Sequence, residues 1–98
     1  MASSKDFKDF VLGQLSLLKD IKCKPMMGEF LLYCNDILFG GIYDNRLLIK
    51  ITTSNKIFGL ASALPYKNAK PMFVVENLDD KQNLCNIITA TCNDLLNN

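Results

Sequence analysis

Between residues 5 and 19, apolar side chains recur at Phe7, Phe10, Val11, Leu15 and Leu18, while Lys5, Lys8, Asp9 and Lys19 fall largely elsewhere. That spacing follows one face of a period of about 3.6 residues and predicts an amphipathic helix. Ser3 or Ser4 can cap it and Asp6 puts a negative charge in its first turn, so the helix is expected to run to Lys19 or Asp20. Gly13 weakens its middle by about 1 kcal/mol relative to alanine. A second stripe, Leu84, Ile87, Ile88, Thr91, Cys92 and Leu95, predicts a C-terminal helix capped by Asp79 or Asp80.

Between the helices the period shortens. The stretch KPMMGEFLLYCNDILFGGIYDNRLLIKI, residues 24 to 51, is made of strand formers interrupted at Asn35-Asp36 and Asp44-Asn45. Both dipeptides tolerate the positive φ that two-residue hairpin turns require. They divide the stretch into three antiparallel strands, roughly 28 to 34, 37 to 43 and 46 to 51. In the third, Leu47, Ile49 and Ile51 share one face while Leu48 and Lys50 share the other, giving the sheet an apolar and a mixed side. Gly40-Gly41 suggests a bulge or a close backbone approach. Residues 21 to 24 read as a short strand stopped by Pro25, and residues 56 to 63 as a helical turn or two ended before Pro65. KPMFVVEN reads as a further strand, with Met72 and Val74 on one face and Phe73 and Val75 on the other.

These elements predict one α+β domain over residues 1 to 98, in two layers. The antiparallel sheet is expected to hold the three-stranded meander plus one or two further strands, with the N- and C-terminal helices packed on one face.

Charge and composition narrow the chemistry. The formal net charge is +1 and the lysines are dispersed among acidic residues. Nucleic-acid binders concentrate basic residues on one face, so this distribution argues against direct nucleic-acid binding. The start, MASSKDFKDF, has no apolar secretion segment, and no apolar run is long enough to span a bilayer, which points to a cytoplasmic protein without a membrane partner. Cys23, Cys34, Cys85 and Cys92 are then expected as reduced, small buried residues, with Cys85 and Cys92 on one core-facing side of the last helix. The chain has no histidine, no C-x-x-C pair and no phosphate-cradling glycine loop. Imidazole-dependent nucleophilic sites are thereby excluded, and neither a metal nor a cofactor is expected.

One corner is chemically suggestive: Met26, Met27, Gly28 and Glu29. Asp36 and Asp44 are explained by their turns, whereas Glu29 is not. Three readings of Glu29 stand: an ion pair with Lys24 or Lys50, a buried hydrogen-bonding role, or a functional carboxylate beside a pocket. Met26, Met27 and Met72 either fill the core or line an adaptable surface. The candidate contact surface therefore comprises Lys24, Met26, Met27, Gly28 and Glu29, together with Lys50 on the mixed face.

Three segments carry a family resemblance: Met26-Met27-Gly28-Glu29-Phe30, then Phe39-Gly40-Gly41-Ile42-Tyr43-Asp44, then Pro65-Tyr66 with Ala69-Lys70-Pro71-Met72. Over residues 3 to 88 the chain resembles the TfoX N-terminal domain family, in its small stand-alone bacterial form. It departs at Leu31-Leu32 and Cys34, where relatives often carry glycine or tyrosine. The resemblance implies an α+β fold like that of secretion chaperones and a link to regulators of natural competence. In those regulators a second, C-terminal domain follows; this chain ends at Asn98. No catalytic residues carry over. The expectation is a non-catalytic regulatory or protein-interaction module with an unidentified protein partner, self-association through the mixed face being an alternative. The rival reading is a small-ligand-binding protein or enzyme using Glu29 beside Met26 and Met27.

Overall fold

The computed structural model describes residues 3 to 97. The chain runs α1 (Lys5–Gln14), β1 (Ile21–Met26), β2 (Glu29–Cys34), β3 (Ile37–Tyr43), β4 (Arg46–Ile49), a 3₁₀ turn (Ser54–Phe58), β5 (Ala61–Ala63), β6 (Met72–Val75) and α2 (Lys81–Leu96). The strands form one antiparallel sheet in the order β1-β2-β3-β4-β6-β5. Both helices contribute to a single core cluster on one side of it. This is the two-layer α+β arrangement the pattern predicts, with three strands beyond the meander rather than one or two.

The turns set the register. Asn35 and Asp36 have φ of 47° and 65°, and Asp44 and Asn45 have 53° and 55°. A third pair, Met27 at 52° and Gly28 at 87°, joins β1 to β2 in the same left-handed way. Paired positive φ is the hairpin geometry whose twist matches that of its strands. Met27 adopts it without the side-chain hydrogen bonding that helps asparagine there.

Pro25 does not stop β1, which continues to Met26. The closing pair of the hairpin, Met26 with Glu29, exchanges the ladder bonds, so the next pair, Pro25 with Phe30, exchanges none. The missing N–H of Pro25 therefore faces the open edge. Proline and the exposed Lys22 and Lys24 also guard that edge against further pairing.

Between β2 and β3 the register slips: Tyr33 pairs with Leu38, but Leu32 pairs with Gly40. Phe39 is the extra residue. The bulge lets Phe39 and Ile42, of opposite parity along the strand, both reach the core with no exposed surface. Gly40 is required there, because a Cβ on it would overlap the backbone of Leu48 and Ile49.

Other boundaries differ from the sequence pattern. α1 ends at Gln14, about a turn early; Ser16 and Leu18 donate their N–H groups back to Gly13 and Leu15 in tighter turns, and Asp20 reverses the chain at φ 62°. The glycine lowers propensity where the helix gives out. Residues 61 to 63 form an edge strand instead of helix, because β6 offers them a backbone ladder that overrides the propensity of alanine. The third meander strand stops at Ile49.

The core joins Val11 and Leu15 of α1 to Leu84, Ile87 and Ile88 of α2 over Leu32, Phe39, Ile42, Leu47, Ile49 and Val75. Each such side chain contributes roughly 1.5–3 kcal/mol through burial. Ser4 caps α1 through the Phe7 N–H, and Asp80 caps α2 through the Asn83 N–H.

The cysteines overturn the expectation of four reduced thiols. Cys34 and Cys92 form a disulfide between β2 and α2 across a sequence separation of 58. Cys92 sits on the flank of the apolar stripe, where α2 passes the end of β2 with a Cα–Cα distance of 6.6 Å. Cys85 lies on the same flank, is only partly buried, and does not belong to the core cluster.

Two tests follow from this architecture. Urea unfolding with and without reductant should differ by about 4 kcal/mol, the chain-entropy value for a loop of this size. Equal midpoints would mean that the bond constrains nothing. Met27→Asn should stabilise the protein by about 0.5–1 kcal/mol through better turn chemistry, and a destabilised variant would refute the strain at that tip.

Candidate functional site

Glu29 opens β2 and is partly buried. Its Oε1 accepts hydrogen bonds from the Ser3 N–H at 2.8 Å and the Ser3 hydroxyl at 2.6 Å. Its Oε2 accepts from the Asp44 N–H at 2.9 Å. Asn45 completes the clasp: its Oδ1 accepts from the Ser4 N–H, and its own N–H donates to the Ser3 hydroxyl. One carboxylate thus ties the N-terminal segment to two hairpin turns. Of the three readings of Glu29, the contacts are those of the hydrogen-bonding one. Neither Lys24 nor Lys50 forms an ion pair with it, and it lines none of the four principal clefts.

The rest of that corner projects outward. Met26 is exposed, Met27 is 97% exposed at the turn, and Lys24 stands over the Tyr33 ring at 5.1 Å. Lys50 lies elsewhere, beyond the end of β4. The six candidate residues therefore do not converge on one place: five follow the first hairpin, and Lys50 lines a cleft on the opposite part of the sheet.

That cleft, about 500 Å³, is the largest principal concavity and opens on the face away from the helices. Its floor includes Leu38, the Gly40 backbone and Tyr43; Lys50, Ile51 and Met72 form a wall. The segment from Leu64 to Pro71 closes over it. Arg46 anchors this segment, donating from Nε to the Tyr43 carbonyl at 3.2 Å and from Nη2 to the Leu64 carbonyl at 3.1 Å. Pro65 is buried, and a tight turn follows, with Asn68 at φ 69° and the Ala69 N–H donating to the Tyr66 carbonyl. Tyr66 is thereby brought against Tyr43, ring centroids 6.3 Å apart and planes at 54°. Gly41 makes room for the Tyr43 ring, since a Cβ there would lie 2.8 Å from it.

The electrostatics of the cleft are one-sided. Lys50 and Lys70 line it, no acidic side chain does, and among the described residues neither lysine is ion-paired. Burial raises the Tyr43 phenol above its usual range, with smaller contributions from Tyr66, Glu29 and Tyr33. Tyr43 is therefore a neutral hydroxyl through the physiological range, able to donate a hydrogen bond.

The Lys50 wall is held from behind by a buried amide. Asn55, fully enclosed, donates from Nδ2 to the Lys50 carbonyl at 2.8 Å and to the Thr91 hydroxyl at 2.9 Å, while its Oδ1 accepts from the Thr52 N–H. Asp94 accepts from both the N–H and the hydroxyl of Ser54, which lowers its pKa. The chain leaving β4 is thus fastened to α2. The sequence reading identified Lys50 but not Tyr43, Tyr66 or Lys70 as site residues; the prolines at 65 and 71 that bracket the covering segment were the available signal. Among the described residues no group of three or more metal-ligating side chains occurs, and no helix is long and apolar enough to cross a membrane.

An absorbance titration of the three tyrosines should show one phenol ionising late, and Tyr43→Phe should remove that step. The folded protein holds this proton more tightly than the unfolded chain. Stability attributable to Tyr43 is therefore present below the unfolded pKa and falls as pH rises through the folded one. If Tyr43→Phe left the late step in place, burial would not be governing this group.

No family model matches the chain. Over 80 residues it is 29% identical to an uncharacterized 12.7 kDa protein in the trpE 5' region of Spirochaeta aurantia, a match covering 80% of this chain and 70% of that protein.

Proposed function

We propose that this chain is a non-catalytic regulatory module of the TfoX N-terminal type, acting through contact at the cleft beneath residues 64 to 71. The observation that carries the binding reading is the pair of lysines, Lys50 and Lys70, unopposed by any acid in a preformed concavity. A surface that keeps two unpaired cations beside apolar walls is suited to recognition. The regulatory half rests on the resemblance of the three quoted segments to competence regulators. The absence of histidine from the sequence favours a binding role over imidazole-based chemistry. We further propose a cytoplasmic placement, a compartment in which a bond such as Cys34–Cys92 is rare.

The test is complementation in the native host. A strain lacking the gene should change in transformation frequency or transcript profile, and the wild-type gene should restore it. Lys50→Glu combined with Lys70→Glu should fail to restore it while melting like the wild type. Full rescue by a folded double variant would remove the cleft from the reading. A deletion with no effect on DNA uptake would remove the competence link.

A further inference from the structure

We infer that the cleft between β3, β4 and the 64 to 71 segment binds a small organic anion with a ring-sized apolar body, an aryl carboxylate in chemical class. This rests on reading the cleft as the contact surface and goes on to name what enters it.

Four observations converge on that class. The volume, about 500 Å³, suits a small molecule. Lys50 and Lys70 line it with no acidic residue beside them in the lining and no ion pair among the described residues, so an incoming anion meets uncompensated positive charge. Tyr43, a neutral phenol that also lines the cleft, offers a hydroxyl donor to the same anion, whereas a cation would meet no opposing charge in the lining. The remaining surface is apolar or aromatic: Leu38, Ile51 and Met72 with the Tyr66 ring.

The apolar part decides against a bare inorganic anion. Lysine is a compact point charge without the bidentate fork that grips phosphate. No glycine-rich run of N–H groups lines the cleft, so an oxyanion alone leaves most of the wall unused. A ring contacts Met72, whose thioether adapts to flat faces, and Tyr66, which is 62% exposed and free to stack. The carboxylate then lies toward the lysines. No bond is made or broken: the chemistry is recognition.

The experiment is an amide-resolved NMR titration of the full chain with benzoate and with naphthoate. Acetate serves as the control for the carboxylate without a ring, and benzylamine, a cation at neutral pH, as the control for a ring of opposite charge. Both aryl carboxylates should give saturable shifts at Gly40, Ile51, Ala69 and Met72, and neither control should. Lys50→Gln with Lys70→Gln, folded by its own amide spectrum, should weaken benzoate by at least about tenfold, equivalent to roughly 1.4 kcal/mol. Tyr66→Ala should weaken naphthoate more than it weakens benzoate.

Shifts that never saturate, equal responses to acetate or benzylamine, or shifts outside the cleft would overturn the inference. So would a single-stranded oligonucleotide that moves these amides together with Lys22, Lys24 and Tyr33, because the whole outer face would then be the ligand surface. Loss of rescue by the charge-reversed variant in the host, alongside silence toward both aryl carboxylates, would end the ligand assignment and leave the contact surface standing.

Discussion

Three pairs of left-handed backbone residues hold this sheet in register. Each two-residue turn admits only one alignment of the strands it joins, and a slip of one position would turn every side chain to the other face. With Met27-Gly28, Asn35-Asp36 and Asp44-Asn45 in place, Leu32, Leu47 and Ile49 fall under the helices and Leu48 and Lys50 fall opposite. The core, the clasp around Glu29 and the outer cleft all inherit their positions from that alignment. The clasp in turn binds to one of the turns, since Glu29 accepts the Asp44 N–H. Local conformation and long-range contact reinforce each other there, as a minimally frustrated sequence requires.

A single irregularity modifies this register and shapes the outer surface. The extra residue at Phe39 puts a large ring into the core and leaves two glycines at the centre of β3. A Cβ on Gly41 would strike the Tyr43 ring, and one on Gly40 would strike the backbone of Leu48 and Ile49. The Tyr43 ring lies against Gly41, and the 64 to 71 segment lines the cleft beside it. Leu48, pointing to the same face, is fully buried. The bulge therefore fills the core side of the sheet, and the glycines beside it let backbone and ring pack closely.

Much of the fold was legible because it is written in local terms. Helix periodicity, the caps at Ser4 and Asp80, and the two Asn/Asp turns need only neighbouring residues to be read. What escaped notice depends on meetings across the chain. Pro25 looked like a strand breaker because only the assembled sheet shows that β1 is an edge. Ala61 to Ala63 looked helical because the ladder that captures them comes from β6, residues later. Asn55 resembled any polar loop residue until Thr91, on α2, met its amide. The candidate site suffered most. Glu29 was conspicuous as a carboxylate among apolar neighbours, yet its partners, Ser3 and Asp44, are remote in sequence and explain it structurally. Tyr43, Tyr66 and Lys70 come from three separate segments, and no spacing rule connects them.

The Cys34–Cys92 bond has a topological consequence for the chain. It closes residues 34 to 92 into a covalent ring that contains β3 to β6 and most of α2. The segment 64 to 71, largely exposed and bracketed by prolines, lies inside that ring. A protease that cut the covering segment would open the ring without releasing either part, since the sulfur bridge would still hold the two pieces together. The roof of the cleft can therefore be severed while the layers beneath it stay joined.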